Sequence, residues 1–101
     1  MKIAVIAGGD SSEYKVSLKS GKNVTDWISR AGFEASLVVI KGQEWYVQKG
    51  RERIPINKDN FSFQENGKQV RFNYAWNTIH GSPGENGILQ GYLALQQIPH
   101  S

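Results

Sequence analysis

The hydrophobic pattern in the first 40 residues switches from strand-like to helix-like spacing and back. Residues 3–7 form a short, continuous apolar run that ends at two glycines, which is typical of a strand buried on both faces of a parallel sheet. Apolar or small residues then recur at spacings of three and four, which predicts a helix ending near Gly32. The positions on this helical face are Val16, Ser20, Val24, Trp27, Ile28 and Ala31. Residues 33–40 end in a second β-rich run, so the three segments predict a βαβ unit.

The central segment, about 41–73, has the pattern of two antiparallel hairpins. Strand-like residues flank Gly50 in the first hairpin and the pair Asn66-Gly67 in the second. An Asn-Gly pair favours the positive backbone angles of a tight hairpin turn, and the residues around it alternate between apolar and polar, as in half-exposed strands. We therefore predict a hairpin insertion inside one domain.

The last 28 residues return to the pattern of the first 40. Residues 74–79 resemble another buried strand, and a second packed helix is expected after Gly87. Ile98-Pro99 is then expected to lead into a further strand, so the domain is expected to continue beyond Ser101. The predicted fold is a single α/β domain over residues 1–101, with a Rossmann-like open, mostly parallel sheet and an inserted antiparallel hairpin region.

Composition and charge exclude several classes of function. The chain has 12 Lys and Arg against 9 Asp and Glu, and its net charge of +3 is scattered rather than clustered, which argues against a nucleic-acid partner. Without cysteine, it can form neither a disulfide nor a thiolate site. The apolar run after Met1 is too short for a signal peptide or a membrane span, so we expect a soluble cytoplasmic protein.

Candidate chemistry lies in two loops, because ligands of open parallel sheets bind at the carboxyl ends of strands. The loop from Gly8 to Val16 lacks GxGxxG, and the chain has no GxxxxGK[ST], so these residues do not predict nucleotide binding. Glu13 either completes a capping box with Asp10 or holds a substrate ammonium group as an ionised carboxylate. Ser17 either orients Glu13 or is simply tolerated on the helix surface. Val16 could line the pocket, although its spacing alone predicts a core position.

The second loop, residues 80–90, begins with a histidine at the tip of a predicted buried strand. Glu85 could reach the imidazole of His80 and fix its tautomer, since the intervening glycines allow a tight loop. Alternatively, Glu85 is a first-turn acid of the following helix. A metal site would need further ligands, and His100 is the only other histidine, so no bound metal is predicted.

Together the two loops resemble the amino-terminal signatures of D-alanine-D-alanine ligases. Residues 8–21 match GGxSxExxVSxxSG, and residues 80–91 match HGxxGExGxxQG. The two motifs occur in the family's order and at the expected strand ends, and the resemblance extends from Lys2 to Pro99.

This resemblance implies an ATP-dependent, ADP-forming ligase that joins two D-alanines for peptidoglycan, with this chain binding the first D-alanine. It implies that Glu13 binds the ammonium group beside Val16, with Ser17 supporting the carboxylate. It also implies that His80, with Gly81, contacts and polarises the substrate, and that Glu85 is hydrogen-bonded to His80.

The family resemblance also sets limits on what this chain does alone. ATP and Mg²⁺ or Mn²⁺ would be used by the whole enzyme, whose ATP-grasp domain is absent from these residues, so the chain alone is expected to be inactive. Asn86 stands where aspartate is common, and the hairpin insertion is longer than in compact members. The enzymes of this family are typically homodimers, so the insertion is expected to contact a partner subunit.

Two alternatives remain open from the sequence. One is a ligase of the same class that uses D-lactate or D-serine as its second substrate. The other is a non-catalytic, flavodoxin-like domain that binds a small ligand or a partner through the same loops.

Overall fold

The computed structural model describes residues 1–9, 14–79 and 87–101, which form strands and two helices in the predicted order. The elements are β1 (Lys2–Gly8), α1 (Tyr14–Arg30), β2 (Glu34–Lys41), β3 (Glu44–Lys49), β4 (Glu52–Pro55), β5 (Ser62–Glu65), β6 (Lys68–Arg71), β7 (Tyr74–Asn77) and α2 (Ile88–Leu95). No helix within these ranges is both long and apolar enough to span a bilayer.

The main sheet has the order β4-β3-β2-β1-β7. Its centre, β2-β1-β7, is parallel, as the βαβ pattern predicts, whereas β3 and β4 extend it in antiparallel fashion. The second hairpin, β5-β6, forms a separate two-stranded sheet. The predicted α/β class and both hairpins are thus confirmed, and the first hairpin proves to be part of the central sheet.

Two apolar clusters lie on opposite faces of this sheet. Alternate residues of β1 point to opposite faces, since side chains alternate along a strand. Ile3, Val5 and Ala7 pack beneath α1, while Ala4 and Ile6 belong to the cluster on the other face. That second cluster includes residues of α2 and of the β5-β6 hairpin. Because each helix covers a different face, the central strands are buried from both sides.

The side of α1 that faces the sheet differs from the predicted apolar stripe. Ser17, Gly21 and Ile28 are its buried residues, while Val16 is 52% and Trp27 68% exposed. The core position that spacing alone predicted for Val16 is therefore wrong. Ser17 and Gly21, which the predicted stripe does not include, are buried where α1 approaches the sheet closely.

The second hairpin turns at Asn66 and Gly67, which both have positive φ, 53° and 76°, as the sequence predicts. The start of β5 is more buried than the predicted half-exposed pattern, whereas β6 is mostly exposed. Phe61 precedes β5 with φ 50° and is fully buried, and Ser62 is 1% exposed although polar. The Ser62 hydroxyl donates to Asn60 Oδ1 at 2.6 Å and accepts from Gln69 Nε2 at 3.1 Å, which satisfies it inside the core.

The end of the chain lies beside β7. His100 forms a parallel bridge with Ala75. The Ala75 amide donates to Pro99 O at 2.9 Å, and the Ser101 amide donates to Ala75 O at 3.1 Å. This pairing is an isolated bridge next to β7, and the further strand expected after Ile98-Pro99 stays a prediction.

Candidate functional site

The two sequence motifs are attached to the sheet at neighbouring strand ends. β1 and β7 pair in parallel with Ile6 opposite Asn77, so both run towards the same edge of the sheet. Residues 8–21 begin at the end of β1, and residues 80–91 follow shortly after β7. Crevices at the carboxyl ends of parallel strands are the usual ligand sites of open α/β sheets, which makes this edge the candidate site.

Four of the predicted site residues lie outside the residues that the structure describes: Glu13, His80, Gly81 and Glu85. Their roles remain predictions. Val16 and Ser17, the other two, lie in the first turn of α1, directly after the end of the first loop.

Ser17 links the two strand ends beneath the loops. Its hydroxyl accepts a hydrogen bond from the Gly8 amide at 3.0 Å and donates one to the Thr78 carbonyl at 2.9 Å. The side chain is fully buried, so the interpretation that Ser17 is merely tolerated on the helix surface is wrong. A hydroxyl has a single proton to donate, and here it is donated to Thr78. Support of Glu13 by Ser17 therefore stays a prediction beside this structural role.

Thr78 is a second bridging residue, and sequence analysis did not identify it. Its amide and its hydroxyl both donate to the Ile6 carbonyl, at 2.8 Å and 2.7 Å. Asn77 Oδ1 in turn accepts from the Ile79 amide at 2.9 Å. The chain just before His80 is thus held to β1 by several hydrogen bonds. The sequence feature that could have identified Thr78 is a hydroxyl residue two positions before His80, at the end of the predicted strand.

Two motif glycines are required by close packing. Gly8 has φ 103°, and a Cβ there would lie 2.3 Å from the Ile40 carbonyl oxygen. A Cβ on Gly21 would lie 2.7 Å from the Ala7 Cβ and 3.0 Å from Leu37 Cδ1. Gly8 lets β1 turn away beside β2, where the Gly9 amide donates to Ile40 O at 2.7 Å, and Gly21 lets α1 approach the sheet. Both glycines bring the start of α1 close to the strand ends.

Val16 and Tyr14 differ in their surroundings at the start of α1. The exposed side chain of Val16 is available for contact with a ligand. Tyr14 packs near Gly8 and has the Lys41 ammonium 5.9 Å from its ring centroid. Burial raises the pKa of the Tyr14 phenol, and hydrogen bonding with Tyr46 raises it further. The phenol of the residue that follows Glu13 therefore keeps its proton at neutral pH.

Within residues 1–9, 14–79 and 87–101, no group of three or more His, Cys, Asp or Glu side chains could hold a metal ion.

Sequence comparison identifies the relatives of this domain. Residues 2–101 match the family described as the D-ala D-ala ligase N-terminus. A D-alanine–D-alanine ligase of Porphyromonas gingivalis is 47% identical over 98% of this chain and 30% of its own length. One from Phocaeicola vulgatus is 46% identical over 98% of this chain and 31% of its own length. The chain thus spans about 30% of the length of these relatives.

Solved structures lead to the same family. A D-alanyl-alanine synthetase A from Vibrio cholerae superposes with a TM-score of 0.83 at 25% identity, covering 100% of this chain and 30% of the other. The VanG D-Ala:D-Ser ligase of Enterococcus faecalis superposes with a TM-score of 0.81 at 31% identity, covering 98% of this chain and 34% of the other. Fold, motif positions and sequence agree, and the chain belongs to the family of D-alanine–D-alanine ligase amino-terminal domains.

Proposed function

We propose that this chain is the part of an ATP-dependent D-alanine–D-alanine ligase that binds the first D-alanine, for use in peptidoglycan synthesis. The observation that carries the proposal is the attachment of both family motifs to adjacent parallel strand ends, β1 and β7. The hydrogen bonds of Ser17 and Thr78 tie these two ends together, which supports a site assembled from both loops.

The proposed residue roles follow from the chemistry of D-alanine as a zwitterion. Glu13 supplies an anion for the ammonium group, with Val16 beside it and Ser17 holding the local backbone. His80 and Gly81 contact the substrate from the second loop, and Glu85 fixes the imidazole by a hydrogen bond. The exposed side chain of Val16 is consistent with such a contact. Positioning of this kind supplies a large part of an enzymatic rate gain.

In the proposed reaction, ATP phosphorylates the carboxylate of the first D-alanine, and the amine of the second attacks the acyl phosphate. Neither ATP nor Mg²⁺ is assigned to the described residues, which contain no suitable acidic cluster. Both belong to the remaining length that the relatives have and this chain does not span. The 101 residues alone are therefore expected to release no ADP.

The test is a coupled ADP-release assay on the full-length ligase that contains this chain, with D-alanine, L-alanine, D-lactate and D-serine offered separately and in pairs. ADP release should require D-alanine and should fall at least roughly a hundredfold in Glu13→Gln, since an ion pair to the substrate is lost. Lys19→Gln, a charge change on the exposed side of α1, is the matched control and should leave the rate unchanged. No ADP release with any substrate, or full activity of Glu13→Gln, would contradict the proposal.

The second substrate is a separate question, and D-serine is a specific alternative. The Enterococcus faecalis D-Ala:D-Ser ligase matches this chain at 31% identity, so the fold of this domain is shared by ligases with different second substrates. The mixed-substrate arms of the same assay distinguish them, because D-alanine with D-serine would release ADP faster than D-alanine alone. The non-catalytic binding domain gains no support, since the relatives named above are ligases.

A homodimer in the cytoplasm belongs to the same proposal. The cytoplasm supplies the ATP that the reaction needs. In this proposal the partner subunit contacts the hairpin region, whose strand β4 is an edge strand of the central sheet.

A further inference from the structure

A pocket of about 470 Å³ lies between α1 and the first hairpin, on the α1 face of the sheet. Tyr14, Leu18 and Lys22 line it from α1. These residues are spaced by four, so they form one stripe along successive turns of the helix. The hairpin contributes residues of β3, β4 and the turn between them. The volume falls within the range of small-molecule sites.

Among the described residues, the charged groups that line this pocket are all positive. They are Lys22, Arg51 and Arg53, while the carboxylate of Glu44 lies near enough to raise the pKa of Tyr14. None of the three forms a salt bridge with another described residue. The ion pair within the described part of the chain joins Lys49 to Glu65. Three cations around one pocket raise the local concentration of anions.

Neighbouring groups orient the Arg53 side chain and fix the backbone that carries Arg51. The Arg53 guanidinium lies 4.8 Å from the centroid of the Tyr46 ring, a cation-π arrangement that orients it over the pocket. Gln48 Nε2 donates to Gly50 O at 2.8 Å and to Glu52 O at 3.3 Å, which fixes the turn that carries Arg51. Positions fixed before binding reduce the entropy lost when a ligand is held.

The base of the pocket is apolar. Leu18, Leu37 and Val39 form it, and Tyr14 and Tyr46, whose phenols hydrogen-bond to each other, also line the pocket. An inorganic anion would make no favourable contact with this apolar surface. A ligand with an anionic group and an apolar body would match both parts of the pocket.

We propose that this pocket binds a small organic anion, a carboxylate or phosphate ester with an apolar body, whose charged group is held by Lys22, Arg51 and Arg53. The pocket extends along the sheet from Tyr14 towards the Gly50 turn. Its occupancy does not depend on the ligase activity. Tyr14, which follows Glu13 directly, connects the pocket to the first loop.

The test is isothermal titration of the 101-residue chain with phenyl phosphate, benzoate, inorganic phosphate and benzyl alcohol at low salt. Phenyl phosphate and benzoate should bind, inorganic phosphate should bind more weakly, and benzyl alcohol should not bind. The double variant Arg51→Gln/Arg53→Gln should weaken phenyl phosphate binding roughly tenfold, since each partly exposed ion pair contributes a factor of a few. Raising the salt concentration should weaken binding in the same direction.

Lys19→Gln is the matched control, because it removes one positive charge from α1 outside the pocket lining. Far-UV circular dichroism of each variant establishes that the fold is retained. If the double variant does not fold, Lys22→Gln tests the loss of phenyl phosphate binding instead, because it is a single substitution at an exposed helix position. Equal weakening by Lys19→Gln and Lys22→Gln, tighter binding of benzyl alcohol than of phenyl phosphate, or no binding of any anion would overturn the proposal.

Discussion

Ser17 shows how a small polar residue can organise a site without touching a ligand. Its hydroxyl satisfies the amide of Gly8 and the carbonyl of Thr78, which belong to different strand ends and would otherwise lack these partners. A buried polar group without a partner is costly, so the position favours a side chain that is small, donates once and accepts once. This requirement accounts for a serine on the buried side of a helix.

Replacing Ser17 with Ala should lower the free energy of unfolding by about 1–3 kcal/mol, because the Gly8 amide loses its acceptor and the Thr78 carbonyl loses its donor. Urea unfolding followed by circular dichroism measures the change. Ser29→Ala, on the exposed side of the same helix, should change stability by less than about 0.5 kcal/mol. Comparable values for the two variants would show that the bridge contributes little.

The elements themselves could be predicted because their patterns are local. The run of residues 3–7 and the Asn66-Gly67 turn fix a strand and a hairpin without knowledge of the rest of the chain. The face of α1 could not be predicted in the same way. It is set by the close approach at Gly21, and the spacing of apolar residues does not identify a glycine as the position nearest the sheet. The left-handed backbone of Phe61 was missed for a similar reason, since tertiary packing fixes it.

The contact between α1 and the sheet can be tested at Gly21. Alanine there gains up to about 1 kcal/mol of helix propensity, but its Cβ would lie 2.7 Å from the Ala7 Cβ, and overpacking costs about 1–3 kcal/mol. Gly21→Ala should therefore be net destabilising in thermal or urea unfolding. Gly91→Ala in α2 is the matched control, since its Cβ meets nothing within 4 Å and should stabilise the chain. If both variants were stabilised, α1 would not approach the sheet at Gly21 as closely as the structure shows.

At the scale of the whole molecule, the sheet joins two cores and also brings the motifs together. The sequence predicted that both loops lie at carboxyl ends of strands, and the parallel pairing of β1 with β7 makes these strand ends neighbours. It could not predict the bridge through Ser17 and Thr78, because residues 61 positions apart meet only after the sheet has formed. The cationic pocket was missed for the same reason, since Lys22 and Arg53 come from elements far apart in sequence.

Because the central strands belong to both cores, loss of one core should unfold the whole chain. Leu93 of α2 is fully buried on the face opposite α1, whereas Leu95 in the same helix is 85% exposed. Leu93→Ala should lower the free energy of unfolding by about 2–5 kcal/mol, and Leu95→Ala by less than about 0.5 kcal/mol. Urea unfolding of Leu93→Ala in a Trp45→Phe background, followed by circular dichroism and by tryptophan fluorescence, should give coincident transitions. Trp45 packs against the cluster that contains Leu93, and its removal leaves Trp27 and Trp76, which line a pocket on the α1 face. If the fluorescence transition stayed at the midpoint of Trp45→Phe alone while the dichroism shifted, the two faces would be separate folding units, and the sheet would not couple them.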